Sequence, residues 1–327
     1  MHFLYSGLIL LFISTNIQGQ SLTVNSTNAS SSSLKSNIDG KTIVVQEGDG
    51  ATILKGDYNA PSQTDPSIKS YALQNGGVIV RENIANFLVY NSFGKIEKSV
   101  SNSTQSKDGE SISELAADAN GKTVVLYNTK VMSGSKSGSR AKVLGLGQTS
   151  LDVFFSEDRT IRTVRVAENG EFIAIATAKD GTDDEVVIID RYGNQINTIK
   201  FDQEIVGMNL YGSGSTLTVY SNGRVAVYDV LSGNRLGGSS FRDGILRFAN
   251  YSSADKAIIG LTGDINGDRL FNIEVRVINI GASKIAKNNY SGTIQFQDLD
   301  AITLNRTGRF NYTISGMDKD LKIRATF

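Results

Sequence analysis

Few side chains in this sequence are suited to catalysis. The 327 residues include no Cys and a single His, His2, which lies in an apolar leader-like segment. A mature chain without Cys and His has no thiolate nucleophile, no His general base and none of the commonest zinc ligand sets. Chemistry or binding therefore has to be sought first among the carboxylates, amides and basic side chains.

One acidic segment has the spacing of a calcium-binding loop. Asp264, Asn266 and Asp268 alternate along the chain, as do the first oxygen ligands of an EF-hand loop. Arg269 stands where that loop requires glycine, and Val275 stands where it requires a bidentate acid. An Asx-rich turn explains the same residues. We therefore expect no cofactor, with Ca²⁺ at this segment as the alternative.

Other charged residues lie in polar segments that predict exposed loops. They are Lys107 and Asp108 in 100–111, Lys136 and Arg140 in 132–142, and Lys179, Asp183, Asp184 and Glu185 in 179–185. Loops of this kind bind ligands when a rigid scaffold presents them. A basic segment suits an anionic sugar or phosphate, and facing carboxylates suit glycoside hydrolysis. The alternative is that all three segments are solvated loop tips.

Short β-strands are the elements that must position these loops. The segment 160–201 contains four consecutive strand patterns, separated by Asn169-Gly170, a polar loop and Tyr192-Gly193-Asn194. Similar units recur along the chain. Their first turns align at Gly76, Gly121, Gly170, Gly214, Asp255 and Gly308. A four-stranded unit repeated every ~40–50 residues predicts β-propeller blades rather than a sandwich.

The segment 225–236, VAVYDVLSGNRL, resembles the end of a WD40-type blade, with Tyr228-Asp229 in place of Trp-Asp. The blades also resemble the looser, YVTN-like repeats of bacterial exported propellers. The chain has no Trp and no Gly-His pair, so the hydrogen-bonded tetrad of WD40 proteins is not expected. The resemblance covers residues 68–327 and implies a propeller fold without a catalytic motif.

The repeats predict six blades, with seven as the alternative. The last unit, 302–327, contains only three strand patterns. We expect an N-terminal strand, 42–46 or 51–55, to complete it and close the ring, because an open blade would expose a raw sheet edge. If both N-terminal strands pair elsewhere, they help to build a seventh blade.

Strand alternation within a blade distributes the connections over two faces of the disc. First-to-second and third-to-fourth turns share one face, and they are uniformly tight. Second-to-third loops and blade-to-blade joins share the other face, where the length varies most: 100–111, 132–141, 179–185 and 262–271. Because repeat insertions tend to map to one binding face, we expect recognition to occur there.

The N-terminal sequence predicts export. Residues 1–20, with the apolar run 8–13, are typical of a secretory signal peptide. Residues 21–40 are rich in Ser, Thr and Asn and predict a flexible leader, and 41–327 is assigned to the propeller domain. We expect the protein in the periplasm, on the outer surface or in the medium, without membrane insertion after cleavage.

The formal charge of the chain limits the classes of partner that it is expected to bind. Lys plus Arg and Asp plus Glu each number 33, so the formal net charge is zero, which argues against nucleic acid. The favoured function is a non-catalytic, protein- or glycan-binding or scaffold module acting through the long-loop face. The alternatives are a carboxylate-based glycoside hydrolase or lyase, and a structural subunit of an envelope complex.

Overall fold

The computed structural model describes residues 20–28, 34–39, 42–47, 50–55, 69–73, 77–81, 86–91, 96–101, 114–133, 136–144, 150–296, 299 and 302–327. The predicted signal peptide, apart from Gln20, and the segment with Lys107 and Asp108 lie outside these residues. The described chain forms antiparallel sheets throughout. It contains no helix that is both long and apolar enough to cross a membrane.

Among the described residues, five sheets of at least four strands are built from strands that are consecutive in the chain. The first contains β5 (Lys69–Ala72), β6 (Val78–Arg81), β7 (Asn86–Tyr90) and β8 (Ile96–Ser101). The second contains β9 (Glu114–Ala117), β10 (Val124–Ser133), β11 (Lys136–Leu144) and β12 (Leu151–Ser156). The third contains β13 (Thr160–Val166), β14 (Phe172–Ala178), β15 (Asp184–Asp190) and β16 (Gln195–Phe201). The fourth contains β17 (Gly207–Tyr211), β18 (Thr216–Tyr220), β19 (Arg224–Asp229) and β20 (Arg235–Ser240). The fifth contains β21 (Leu246–Ser252), β22 (Ala257–Asn266), β23 (Arg269–Asn279) and β24 (Lys284–Tyr290), with β25 (Ile294–Gln295) added to β23.

Burial along the strands follows their position in a blade. The second strand β14, FIAIATA, is buried along almost its whole length, because neighbouring blades cover both faces of the sheet. The outer strand β16 alternates exposed and buried residues towards its end. Apolar clusters fill the spaces between successive sheets, as where Val164 and Ile175 pack with Val125 and Val143.

The tight-turn face depends on glycines with positive φ. Gly121, Gly170 and Gly214 have φ of 67°, 73° and 80°, which is a left-handed conformation that side chains disfavour. At Gly170 a Cβ would also lie 2.4 Å from Oγ1 of Thr123 in the preceding blade. The turns are linked across blades by backbone bonds, including Glu168 N–H to Gly212 C=O at 3.1 Å.

The ring is closed by the first strand of the chain. β1 (Ser21–Asn28) is antiparallel to β28 (Lys319–Thr326), with Ser21 opposite Thr326, and completes the sheet of β26 (Thr303–Gly308) and β27 (Asn311–Ser315). The expectation that an N-terminal strand completes the last blade is therefore confirmed. The donor predicted from 42–46 or 51–55 is wrong, because residues 42–47 and 50–55 pair with each other in a separate sheet. Leu22 of β1 is instead buried in the core of the last blade.

The flexible leader predicted for 21–40 is wrong for β1 and for β2 (Leu34–Asp39). Together with β3 (Thr42–Glu47) and β4 (Gly50–Lys55), β2 forms a three-stranded sheet, in which β2 lies beside β5. The fold is a β-propeller, and over the described residues six of its sheets have at least four strands, as the six-blade count predicts. The three-stranded sheet occupies the place of the alternative seventh blade.

Two predicted loops are instead extended hairpins. The segments 132–141 and 262–271 lie largely within the pairs β10–β11 and β22–β23, which continue their ladders to Ser133↔Lys136 and Asn266↔Arg269. Polar residues predicted loops here because the ends of both hairpins are exposed, at Lys136 and Ser137 and at residues 266–269. β25 pairs with the tip of β23, and Leu270 and Ile294 are completely buried there.

A buried carboxylate joins the last two blades on the tight-turn face. Asp255, in the β21–β22 turn, accepts hydrogen bonds from Arg306 Nε (2.8 Å) and Nη2 (3.0 Å), Tyr312 OH (2.9 Å) and Phe310 N (3.2 Å). Burial acts to raise the pKa of Asp255, but these donors outweigh it and hold the pKa below its usual value. Burial, followed by the bond to Asp255, raises the pKa of Tyr312.

Candidate functional site

The loop between β14 and β15 is a compact turn on the long-loop face. The Thr182 N–H and hydroxyl both donate to the Lys179 C=O, at 3.2 and 3.1 Å. Gly181 has φ 75° and no atom within 4 Å of the position of a Cβ, so the turn projects into solvent. This geometry presents the side chains on either side of Gly181 outwards.

A cleft of ≈ 330 Å³ lies between this loop and the β16–β17 join. Residues 178–184 form one wall, residues 202–204 form the other, and Arg162 of β13 contributes from the innermost strand. Its lining includes five carboxylates and two basic side chains, so the cleft has an excess of negative charge. None of the described residues that line the cleft is aromatic.

Arg162 holds the two walls together. Its Nε lies 2.9 Å from Oδ2 of Asp184, and its Nη1 lies 2.7 Å from Oε1 of Glu204. Asp184 is almost fully buried, and the same Oδ2 accepts the backbone N–H of Ile205 at 2.8 Å. A buried carboxylate is stable only when paired in this way, so Asp184 is a structural residue that anchors the join to the loop.

Further ion pairs connect the cleft to the adjoining strands and joins. Lys179 Nζ lies 3.2 Å from Oδ2 of Asp158 in the β12–β13 join. Arg159 donates to the Asp183 C=O at 2.8 Å. On the other side, Arg224 Nη1 contacts both carboxylate oxygens of Asp202, at 2.7 and 2.6 Å. The cleft is therefore braced on both sides by half-buried arginines.

The carboxylates of the cleft differ in their availability. Asp184, Glu204 and Asp202 are committed to arginines. Asp180 and Asp183 are exposed, and neither carboxylate forms an ion pair within the described part of the chain. These two side chains are the groups that an incoming ligand meets first.

The structure brings together three of the predicted binding-face residues. Lys179, Asp183 and Asp184 line the cleft, whereas Glu185 lies in β15 and faces Arg159 at 3.5 Å. Lys136 and Arg140, predicted in a flexible loop, belong to β11. The side-chain hydrogen bond from Lys136 to Glu157 raises the lysine pKa. Lys107 and Asp108 lie outside the described residues.

The calcium-like segment forms the end of the β22–β23 hairpin. Asp264 and Asn266 lie in β22, and Asp268 lies in the two-residue turn with Gly267. Asp264 Oδ2 accepts a hydrogen bond from Asn272 at 2.9 Å, and the Asp268 C=O accepts from Phe296 N at 2.9 Å. Over the residues with described positions, no group of three or more His, Cys, Asp or Glu could hold a metal ion.

Sequence reasoning missed the residues that build the second wall. Asp202 and Glu204 lie in a join that is too short to stand out by length, and Arg162 lies in a strand pattern. The available indication was charge density: DQE at 202–204 follows β16 directly, on the face where 179–185 also lies.

Comparison with a solved structure supports the propeller architecture. No protein-family model matches the chain, and no curated protein matches its sequence. A solved structure, the "Myceliophteria_thermophila Cps50 (Swd1) beta-propeller domain", is similar with a TM-score of 0.51 at 11% identity, covering 94% of this chain and 100% of that one. The chain shares its propeller fold. "Kuenenia stuttgartiensis Hydrazine Synthase" is also similar, with a TM-score of 0.48 and 14% identity over 79% of this chain and 76% of that one.

Proposed function

We propose that this propeller is an exported, non-catalytic binding or scaffold module that recognises a protein partner through the acidic cleft. The cleft carries the proposal, because it is a concave site on the long-loop face with unpaired carboxylates at its entrance. The apolar leader sequence supports export. The proposal places the protein in the periplasm, on the outer surface or in the medium.

The lining favours a protein over a glycan. Sugar rings commonly stack on aromatic side chains, and the described lining of the cleft contains none. Its excess carboxylates instead suit a partner that presents Lys or Arg, since complementary potentials accelerate encounter and exclude wrong partners. Asp180 and Asp183 are the residues assigned to this contact.

Binding is also favoured over hydrolysis. A carboxylate-based glycosidase needs one acid and one base or nucleophile free to act on the same bond. Asp184, Asp202 and Glu204 are instead held by arginines, so none of these three side chains is free to act on a substrate. Asp180 and Asp183 are separated by the turn at Gly181 and lie at its exposed surface.

A matched pair of variants tests the proposal. Asp180→Asn with Asp183→Asn removes two negative charges from the cleft, and Glu168→Gln with Glu171→Gln removes two from the tight-turn face. Each variant and the native chain are used as bait on the native envelope fraction at low and high salt. We expect the cleft variant to lose the partner and the control to retain it, with weaker retention by the native chain at high salt. Equal retention by both variants would refute the role of the cleft.

A further inference from the structure

The fourth sheet, β17 to β20, is a low point on the long-loop face. Its second strand β18 has five residues, whereas β14 and β22, the second strands of the neighbouring sheets, have seven and ten. All three strands start at the tight-turn face, so their lengths set the height of each sheet on the opposite face. The differences correspond to about 7 Å and about 17 Å of strand. A recess therefore lies above the fourth sheet, between the β14–β15 loop and the β22–β23 hairpin.

Two exposed aliphatic side chains lie in this recess. Val206 is the last residue of the β16–β17 join and is 41% exposed, and Ile245 is the last residue of the β20–β21 join and is 39% exposed. The Val206 N–H donates to the Tyr220 C=O at 3.0 Å, and the Leu246 N–H donates to the Asn222 C=O at 2.7 Å. Both joins are therefore held against the same short β18–β19 turn, which places Val206 and Ile245 on its two sides.

Exposure of such residues is not a general feature of this face. The other exposed large apolar side chains of the described chain lie in outer strands, as Leu236 does, or in third-to-fourth turns of the tight-turn face, as Leu231 does. The β12–β13 join has the polar residues 157–159 instead. A single exposed aliphatic residue needs no explanation, but two in one recess beside a binding site indicate a contact surface.

The recess is continuous with the acidic cleft. Glu204 lines the cleft and lies two residues before Val206 in the same join. The Ile205 N–H, between them, donates to Oδ2 of Asp184 at 2.8 Å, so this join is both the second wall of the cleft and the border of the recess. A ligand that extends from the cleft over this wall therefore meets Val206 next.

We propose that the partner binds as a linear segment across the fourth sheet, with a Lys or Arg in the acidic cleft and a large aliphatic side chain on Val206 and Ile245. The negative charge of the cleft attracts the basic residue. Covering the two aliphatic residues removes apolar area from water, which favours an aliphatic side chain at that position. The inference rests on the proposed function of the cleft and adds a second contact, which restricts the segments that can bind.

Synthetic peptides of equal length provide the first test. One combines Lys with Leu, one replaces Leu by Ser, and one replaces Lys by Glu; binding to the native chain is measured by fluorescence anisotropy. We expect the Lys/Leu peptide to bind most tightly, replacement of Leu to weaken binding about tenfold, and replacement of Lys to abolish it. Equal binding of the Lys/Leu and Lys/Ser peptides, or no binding of either, would overturn the proposal.

A matched pair of variants assigns the aliphatic contact. Val206→Ser with Ile245→Ser changes the recess, and Leu231→Ser with Leu236→Ser removes two exposed aliphatic residues elsewhere. We expect the recess variant to bind the Lys/Leu peptide about tenfold more weakly and the Lys/Ser peptide as the native chain does. The control is expected to bind both as the native chain does. Equal effects of the two variants would rule out the recess.

Asp180→Asn with Asp183→Asn separates this inference from the proposed function. This variant is expected to bind the Lys/Leu peptide more weakly at low salt and to lose the salt dependence of the native chain. Native affinity in this variant would refute the role of the cleft, and with it the basic half of the contact. Native affinity for the Lys/Leu peptide in Val206→Ser with Ile245→Ser would refute the recess alone and leave the proposed function intact.

Discussion

Removal of the Asp255 carboxylate is expected to loosen the junction between the last two blades. Asp255→Ala leaves Arg306, Tyr312 and the Phe310 amide without their common acceptor. Loss of one partner from a buried ion pair costs about 3–5 kcal/mol. The Arg306 side chain is 33% exposed and can regain water, which places the expected loss near the lower end, at about 3 kcal/mol. For a chain of this size the melting temperature falls by ~2 °C per kcal/mol, or roughly 6 °C.

The pH dependence of this loss has a defined sign. The folded-state pKa of Asp255 is lowered from 3.8, so its contribution to stability is complete above that value. It is lost as the pH falls through the lower, folded-state pKa. The difference in free energy of unfolding between native chain and variant is therefore expected to be constant above pH 3.8 and to shrink below it.

Urea unfolding at several pH values measures both effects. Asp183→Ala is the control, because this exposed carboxylate forms no ion pair with the described residues and its loss is expected to change stability by no more than ~0.5 kcal/mol. Arg306→Met, combined with Asp255→Ala, is expected to cost less than the sum of the single changes. A loss below about 1 kcal/mol, strict additivity, or a difference that persists unchanged in acid would refute the reasoning.

Three further predictions concern the turns, the closing strand and the hairpin tip. Gly170→Ala is expected to destabilise the fold by at least ~1 kcal/mol more than Gly181→Ala in urea titrations. Both glycines have positive φ, but only at Gly170 would the added Cβ meet another atom, Oγ1 of Thr123 at 2.4 Å. Equal losses would show that backbone strain alone acts. Leu22→Ala is expected to cost about 2–3 kcal/mol and to speed exchange of the β28 amides, because Leu22 is buried in the last blade; unchanged β28 exchange would contradict the closure. Thermal melts with and without EDTA are expected to coincide, since the described chain has no three-carboxylate group for a metal; a drop that Ca²⁺ reverses and Asp264→Ala abolishes would contradict this.

The propeller was predictable from sequence because its determinants are local. The strand patterns around Asn169-Gly170 and Tyr192-Gly193 mark hairpins whose turn chemistry permits few alternatives, and the interval between units then identifies blades. The donor of the closing strand was not predictable in this way. β1 contains only Leu22 and Val24 as large apolar residues among Ser, Thr and Asn, a composition equally typical of a disordered leader. Its pairing with β28 depends on a partner at the far end of the chain.

The candidate site was predictable only in part for a related reason. The loop 179–185 stood out by length and charge, and the structure places Lys179, Asp183 and Asp184 in the cleft. The opposite wall comes from a neighbouring join, and Arg162 comes from a strand. The periodicity of a single strand does not show which loop residues of one blade lie opposite the residues of the next join across the cleft. The hairpin that contains Lys136 was predicted to be a loop, because a pair of strands exposed to solvent has the same polar composition as a loop.

The pairing of β1 with β28 also sets the order of assembly. A strand at residues 21–28 cannot pair with its partner until residues 319–326 have been synthesised, so the first strand of the described chain is the last to be seated. Closing so long a loop is slow compared with forming a hairpin. Until then β28 is an open edge that can capture strands of other chains. Folding yield should therefore depend on the local concentration of newly synthesised chains more than the stability of the finished ring suggests.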